Sequence, residues 1–143
     1  MTRVMATGVF DILHLGHLHY LTESKKLGDE LLVVVARDST AMKSGKAPIF
    51  DEKARVSLVS QLKPVDKAII GHEGDIFQTV IENKPDIITL GYDQKFDDKA
   101  IERKCQELGL NTRVVRISKF DNAKYLSSSS IRTKLLEIIE GSL

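Results

Sequence analysis

The sequence Leu-Leu-Val-Val-Val-Ala at residues 31–36 is continuously apolar and rich in valine. A strand that is buried on both faces has this composition, and such strands belong to parallel sheets that helices cover on each side. Four shorter segments, residues 4–6, 68–70, 87–90 and 113–117, have a similar strand-like composition. The run therefore favours a parallel sheet, and together with the four shorter segments it predicts five strands.

Segments with the apolar spacing of helices separate these strands. Leu18, Leu21 and Leu27 precede Gly28, a residue type that commonly ends helices. Asp75, with Gln78 three residues later, resembles a capping box. The other helical stripes are Ala54, Leu58, Val59 and Leu62 before Pro64, residues 100–108 before Gly109, and Ile131, Leu135, Ile138 and Ile139. Strand and helix alternate about five times, which predicts one doubly wound α/β domain over residues 1–143. We expect a five-stranded parallel sheet with helices on both faces and right-handed crossovers.

Composition excludes several classes of protein. The chain has 143 residues, which suits one domain, and its 21 basic and 20 acidic residues give a net charge of +1. A nucleic-acid partner usually needs a strong basic excess, so none is expected. Cys105 is the only cysteine and cannot form an internal disulfide. No apolar run approaches the length of a membrane span or a signal peptide. These features predict a cytoplasmic protein without a membrane partner.

The loop after the first strand, GVFDILHLGH at residues 8–17, is the main candidate for a functional site. Ligands of doubly wound sheets bind at the carboxyl ends of the strands, near the point where the strand order reverses. His14 and His17 are two of only four histidines in the chain. The glycine patterns of P-loop enzymes and of dinucleotide-binding domains are absent from the sequence, which argues against both classes.

Three interpretations of this loop remain open from the residues alone. His14 and His17 could be structural loop residues without a chemical role. They could also bind a metal ion together with Asp11, although zinc sites usually need further ligands and longer motifs. In the third interpretation the loop binds phosphate: Gly8 and Gly16 allow close approach, the next helix offers free N–H groups, and imidazoles donate to phosphate oxygens.

The third interpretation agrees with a family resemblance. Gly8-Val-Phe-Asp11, followed by His14-Leu-Gly-His17, resembles the signature of the HxGH nucleotidyltransferases, and more closely that of their cytidylyltransferase-like branch. Further similar segments follow in the family's order at residues 27–38, 63–68, 84–94 and 127–131. Within the branch, residues 35–38, 63–66 and 90–94 are more similar to archaeal-type FAD synthetases than to glycerol-3-phosphate cytidylyltransferases. The R-T-x-G element of the latter is replaced by FDNAKYL at residues 120–126.

The resemblance implies an activity. An FAD synthetase transfers AMP from ATP to FMN and releases pyrophosphate, with a divalent cation expected to be Mg²⁺. The alternative within the family is transfer of CMP from CTP to glycerol 3-phosphate. A flavodoxin-like module that binds a nucleotide or flavin without turnover is a third hypothesis, from another class of protein. The resemblance also implies a homodimer.

The resemblance further implies roles for individual residues. His14 and His17 would bind the reacting phosphate oxygens, and Asp11 would lie beside the triphosphate and contact the metal ion. One lysine of the loop after the second strand, Lys43 or Lys46, would contact the phosphates, and Lys46 is the preferred candidate. Arg55 would complete the catalytic set on the acceptor side. The nucleotide-binding residues would be Gly8, Val9, Phe10, Asp11, Gly16, Gly91, Tyr92, Asp93, Ser127, Ser128, Ser129 and Ser130. The structural alternatives are a loop-closing role for Asp11, a surface position for Arg55, packing of Tyr92 and helix capping by the serines.

The acceptor can also be addressed from the residues. FMN is large and flat, so its site needs an apolar or aromatic wall. Ile49 and Phe50 follow the second strand, and Tyr125 and Leu126 precede the serines. We expect both pairs at the active edge of the sheet, where they would form this wall; anchoring of their loops to the core or to a partner subunit is the alternative.

Overall fold

The computed structural model of the protein describes residues 1–43, 45, 47–120 and 128–142, with the backbone alone at Ser128 and Ser142. The strands are β1 (Arg3–Gly8), β2 (Glu30–Val35), β3 (Lys67–Ile70), β4 (Ile87–Leu90) and β5 (Arg113–Arg116). The helices are α1 (Leu15–Lys25), α2 (Asp38–Met42), α3 (Glu52–Ser60), α4 (Ile76–Asn83), α5 (Asp98–Glu107) and α6 (Ser128–Ser142). All five predicted strands are present, whereas the short helix α2 was not predicted.

The strands form one parallel sheet in the order β3-β2-β1-β4-β5. Val4 of β1 pairs with Leu31 of β2 on one side and with Ile87 of β4 on the other. The chain therefore builds the sheet outward from β1 in one direction, and then returns to add β4 and β5 on the opposite side. The strand order reverses between β1 and β4, which is where doubly wound sheets bind ligands.

Two apolar cores cover the two faces of the sheet, because side chains alternate along each strand. Val4 and Ala6 of β1 pack on one face with residues of α1 and α3. Met5, between them, packs on the opposite face with residues of α4 and α5. This arrangement confirms the predicted doubly wound α/β fold with helices on both faces.

The predicted apolar stripe of the first helix is confirmed at Leu21 but wrong at its other two residues. Leu18 and Leu27 are 40% and 38% exposed, whereas Tyr20 and Ser24 are buried with Leu21. The polar side chains are buried because they hydrogen-bond to the sheet. Gly28 does not end this helix, which stops at Lys25. It is a glycine for packing reasons, since a Cβ atom there would lie 2.8 Å from the carbonyl oxygen of Thr2.

Two later helices also differ in detail from the sequence-based expectation. Asp75 does cap α4, accepting from the N–H of Phe77, but the Gln78 side chain bonds to Glu82 rather than completing a capping box. On α6 the apolar residues Leu135, Ile138 and Ile139 are 48–56% exposed. Neither of the two apolar cores, as far as the described residues go, includes them. Within the described ranges, no helix combines the length and the apolar character needed to cross a membrane.

Candidate active site

A cavity of about 360 Å³ lies at the carboxyl ends of β1 and β4. Its volume is in the range of small-molecule sites. The structure brings together at this cavity the predicted residues Gly8, Val9, Phe10, Asp11, His14, Gly16, His17, Gly91, Tyr92, Asp93 and Ser129. Arg55 and Ser130 do not line it. Lys46 and Ser127 lie outside the described residues, as do Tyr125, Leu126 and the Ser128 side chain.

The two histidines of the loop cap α1 with their rings. Nδ1 of His14 accepts from the N–H of Gly16 at 3.1 Å, and Nδ1 of His17 accepts from the N–H of His14 at 3.3 Å. The ring centroids lie 3.9 Å apart. A nitrogen that accepts a hydrogen bond carries no proton, so in each neutral ring the proton is on Nε2. The capping geometry therefore leaves each imidazole with one N–H donor for a ligand in the cavity that both rings line.

Burial keeps these rings neutral in the free protein. It lowers the pKa of His17 to about 4, with His14 as a second lowering influence and Asp11 opposing both. Burial also lowers the pKa of His14, against the opposing charge of Asp93. Both imidazoles are thus neutral N–H donors at pH 7. This differs from charge-assisted donation by protonated rings, and it means that the free site carries no positive charge from the histidines.

Phe10 holds the loop in a strained backbone conformation. Its φ of 55° lies in the left-handed region, which is unusual for a bulky residue. The ring is only 3% exposed, and its centroid is 5.4 Å from that of His17 and 6.4 Å from that of Tyr20. Gly8 makes room for it, because a Cβ atom there would lie 2.9 Å from the Phe10 ring. Gly8 is thus needed for packing of the loop as well as for access to the cavity.

Asp11 joins the first loop to the segment that precedes α3. Its two carboxylate oxygens accept from the N–H groups of Ile49 and Phe50, both at 2.9 Å, and Oδ2 also pairs with Arg132. The residue is only 5% exposed. Asp11 therefore fixes the position of Ile49 and Phe50. Those side chains are largely exposed and do not line the cavity, whereas Pro48 does.

Arg55 occupies a different place from the one expected for a residue that contacts the acceptor. Its side chain has no exposure. The guanidinium donates to the carbonyl oxygens of Phe50, Val9 and Ala36 at 2.7–2.9 Å and to Asp38 at 2.6 Å. Arg55 thus holds together the loops that follow β1 and β2. Sequence reasoning did not anticipate this role, because most of its partners are backbone carbonyls.

A buried hydrogen-bond network connects α1 to the two central strands behind the cavity. The Tyr20 hydroxyl donates to the carbonyl oxygen of Thr89 at 2.8 Å and accepts from the N–H of Thr7 at 3.2 Å. Ser24 bonds to the Thr89 hydroxyl at 2.8 Å. Burial raises the pKa of Tyr20 to about 12, so the hydroxyl stays protonated. The network fixes the helix that presents both histidines.

Three further side chains at the site were not singled out from the sequence. Gln94 and Arg132 line the cavity. Arg116, on β5, bonds to the loop that follows β4. Gln94 and Arg116 contact backbone groups, which leave no pattern in a sequence. Arg132 pairs with Asp11, whose sequence separation of 121 residues hides the contact.

The described side chains do not fit a resident metal ion. No group of three or more His, Cys, Asp or Glu side chains in the described ranges could hold one. Asp11, the predicted metal contact, gives both of its oxygens to backbone N–H groups and one also to Arg132. Its carboxylate is therefore already committed to contacts within the protein, which leaves it poorly placed to bind a cation directly.

The fold and the paired histidines together define a nucleotide-binding α/β domain of the HxGH type. Comparison with known sequences agrees: the chain matches the Cytidylyltransferase-like family over residues 5–134. That span includes every described residue of the cavity. The chain belongs to this family.

Individual relatives carry a narrower name. An FAD synthase from Thermoplasma acidophilum is 67% identical over 139 residues, which cover 97% of each chain. An FAD synthase from Archaeoglobus profundus is 52% identical over all of this chain and 92% of its own length. These relatives confirm the predicted resemblance to the archaeal-type FAD synthetases.

Solved structures support the fold. A crystal structure described as the lipopolysaccharide core biosynthesis protein from Thermoplasma volcanium is 70% identical, with a TM-score of 0.83 over 85% of this chain and 99% of its own. That description differs from the name FAD synthase given to a 67% identical relative from the same organism. A pantothenate synthetase from Thermus thermophilus, 14% identical with a TM-score of 0.58 over 81% of this chain and 55% of its own, shares the fold alone.

Proposed function

We propose that this chain transfers AMP from ATP to FMN, forming FAD and pyrophosphate. A phosphate oxygen of FMN attacks the α-phosphorus of ATP, and the bond from that phosphorus to the oxygen bridging to the β-phosphate breaks. Pyrophosphate carries away the electron pair of that bond. The observation that carries the proposal is the pair of histidines whose Nδ1 atoms cap α1. That bonding leaves their Nε2–H groups as donors at the cavity, as the transfer requires.

The histidines act by binding charge rather than by removing a proton. The FMN phosphate is already ionised near neutral pH, so it needs no general base. Negative charge develops on the phosphate oxygens in the transition state, where fixed donors in a partly dehydrated site are effective. His14 and His17 are held rigidly by backbone bonds, so little reorganisation is needed when the phosphate arrives.

The divalent cation enters, in this proposal, as part of the nucleotide substrate. Triphosphates bind Mg²⁺ through their own oxygens, and proteins often add only one or two ligands. This agrees with a site whose described residues form no metal cluster. In this proposal Asp11 acts through Ile49, Phe50 and Arg132. Ser129, which lines the cavity at the start of α6, would contact the distal phosphates.

FMN as acceptor is supported by the aromatic residues at the cavity. Phe120 and His19 both line it. Their rings stack with centroids 5.2 Å apart. Aromatic surface suits a flat ring system better than a three-carbon polyol. These residues replace Ile49 and Phe50 as the described candidates for the wall.

The decisive experiment crosses two nucleotides with two acceptors. The purified protein is incubated with ATP or CTP and with FMN or glycerol 3-phosphate, in the presence of Mg²⁺. Pyrophosphate release and the flavin products are then measured. We expect FAD only from ATP and FMN, and its loss in His17→Ala. CDP-glycerol formation without FAD would replace the proposal by the cytidylyltransferase alternative. Flavin binding without pyrophosphate from any pair would favour a non-catalytic module.

The homodimer is the second part of the proposal, and α6 supports it. Leu135, Leu136 and Ile139 are 48%, 57% and 56% exposed on this helix. In a symmetric dimer, this face of α6 would pack against the same face of the second subunit and become buried. Light scattering after size exclusion should give twice the chain mass. Leu136→Glu should give the monomer mass, whereas Leu58→Glu, at a 48% exposed site on α3, should leave the dimer intact. A monomeric wild type would contradict the proposal.

A further inference from the structure

The crevice between β1 and β4 contains an amide that bridges the two strand ends. The Gln94 side chain accepts from the N–H of Gly91 at 2.7 Å and donates to the carbonyl oxygen of Thr7 at 3.1 Å. Only one orientation of the amide satisfies both partners, so its oxygen and nitrogen are assigned by the contacts. Gln94 thereby ties the loop after β4 to β1 at the point where the strand order reverses.

Arg116 holds the same loop from β5. Its guanidinium donates to the carbonyl oxygens of Gly91, Gln94 and Phe96 at 2.6–2.8 Å and pairs with Asp98. The planar fork of arginine suits such multiple acceptors, and lysine could not reproduce the arrangement. Gln94 and Arg116 therefore bind the loop on both sides of Tyr92 and Asp93 in the sequence, one through its side-chain amide and the other through backbone carbonyls.

The segment between these attachments is the part of the loop that faces the ligand. Tyr92 and Asp93 are exposed and line the cavity together with His14. Asp93 is close enough to His14 for its charge to influence that ring. Two exposed residues on a loop would otherwise sample several conformations, and ordering them on ligand binding would weaken affinity. A loop held in place before binding avoids that loss.

We propose that Gln94 and Arg116 are positioning residues for the nucleotide, which hold Tyr92 and Asp93 at the crevice beside the histidines. The inference rests on the proposed function, since it takes the triphosphate as the ligand of this crevice. Neither residue reacts: both act through the loop that they hold. Their loss should therefore weaken nucleotide binding, while the acceptor's KM and the donors of α1 remain unaffected.

The test compares two variants of Gln94. Gln94→Met keeps the length of the side chain and removes both hydrogen bonds. Gln94→Glu keeps the acceptor for the N–H of Gly91 and removes the donor to the carbonyl oxygen of Thr7. Gln78→Met is the matched control, since Gln78 is exposed on α4 and its side chain bonds to Glu82, away from the cavity. For each protein we measure the Kd of a non-hydrolysable ATP analogue, the KM values of ATP and FMN, and the free energy of unfolding.

We expect Gln94→Met to raise the Kd and the KM of ATP about tenfold or more, the order of effect when partly buried groups lose their partners. The KM of FMN should stay within about twofold, and Gln94→Glu should lie between Gln94→Met and the wild type. A merely structural role would lower stability and the amount of active protein without separating the two KM values. An unchanged Kd, or an equal rise in both KM values, would overturn the proposal.

Arg116→Lys keeps the proposal testable if Gln94→Met does not fold. It retains the charge but cannot form the fork, so it should also raise the Kd of the ATP analogue selectively, while Arg113→Lys, at an exposed site on the same strand, should not. A folded Arg116→Lys with wild-type nucleotide affinity would overturn the proposal. The Kd is measured without an acceptor. If the variants bind the ATP analogue more weakly but the wild-type protein makes no FAD, the proposed function is refuted and this inference stands. If the wild type makes FAD but the variants keep its Kd for the analogue, the inference is refuted and the proposed function stands.

Discussion

Asp11 and Arg132 lie 121 residues apart in the sequence, and their side chains form an ion pair of 2.5 Å at the cavity that both line. Asp11 is only 5% exposed, and the Arg132 side chain 26%. The same carboxylate binds the N–H groups of Ile49 and Phe50. One acidic group thus connects the loop after β1, the segment before α3 and the first turns of α6. The ion pair therefore links α6 to the candidate active site.

A double-mutant cycle can measure this dependence. Asp11→Asn, Arg132→Gln and the double variant should show a coupling free energy of about 1–3 kcal/mol, because either single change leaves a poorly solvated partner without its counter-charge. Urea unfolding of the four proteins gives the value. Single-variant effects that add to within about 0.5 kcal/mol would mean that the pair contributes no mutual stabilisation.

Arg55→Met should destabilise the protein strongly. The guanidinium is fully buried, and its removal leaves Asp38 and the carbonyl oxygens of Phe50, Val9 and Ala36 without their donor. Breaking a buried pair of this kind costs about 3–5 kcal/mol. Arg113→Met, at an exposed position of β5, should change stability by no more than about 0.5 kcal/mol. A stable Arg55→Met with a raised KM for the acceptor would instead support the contact predicted from the family resemblance.

The sheet could be predicted because its information is local. Residues 31–36 are apolar on both faces, and burial on both faces follows from that alone. The interior of α1 could not be predicted in the same way. Its buried face contains Tyr20 and Ser24, whose burial depends on hydrogen bonds to strand residues far away in the sequence. Leu18, which the apolar spacing favours as a buried residue, is 40% exposed instead.

The candidate site likewise contains residues that the sequence predicts and residues that it does not. His14 and His17 could be predicted because their spacing places both rings at the start of one helix, directly after a strand. The roles of Arg55, Gln94 and Arg116 could not, because their main partners are backbone carbonyls and N–H groups. Every residue type presents those groups, so no residue pattern marks the contact before the chain is folded.

Tyr20→Phe should lower the free energy of unfolding by about 1–3 kcal/mol. The change keeps the ring beside Phe10 but removes the hydroxyl that serves the N–H of Thr7 and the carbonyl oxygen of Thr89. Tyr92→Phe is the control for stability, since that side chain is 43% exposed. Chemical unfolding gives the free energy of unfolding of both variants for comparison with the wild type. Equal, small effects would show that the buried network is replaced by other contacts when the hydroxyl is lost.

His17→Ala should leave a folded protein whose turnover is reduced about a hundredfold or more, the usual effect of losing a donor to a developing oxyanion. The lost cap on α1 should cost only about 1 kcal/mol of stability. His72→Ala serves as the control, because His72 pairs with Glu82 and does not line the cavity. Steady-state rates of pyrophosphate release, corrected for the folded fraction, give the comparison. Near-normal turnover of a folded His17→Ala would remove the phosphate interpretation of the loop.

The buried imidazole of His17 should also make stability depend on pH. Burial, assisted by His14, lowers its pKa to about 4, whereas a histidine in an unfolded chain has a pKa of about 6.5. Between these values the unfolded chain binds a proton that the folded chain does not, so the free energy of unfolding falls as the pH decreases through this window. The loss should reach about 3 kcal/mol near pH 4. The asparagine of His17→Asn does not titrate, so this variant lacks that loss. When the pH is lowered from about 7 to about 4, the free energy of unfolding should fall by about 3 kcal/mol more in the wild type than in the variant. Urea unfolding of both proteins across this range measures it, and parallel pH profiles would show that His17 is protonated in the folded protein as readily as in the unfolded chain.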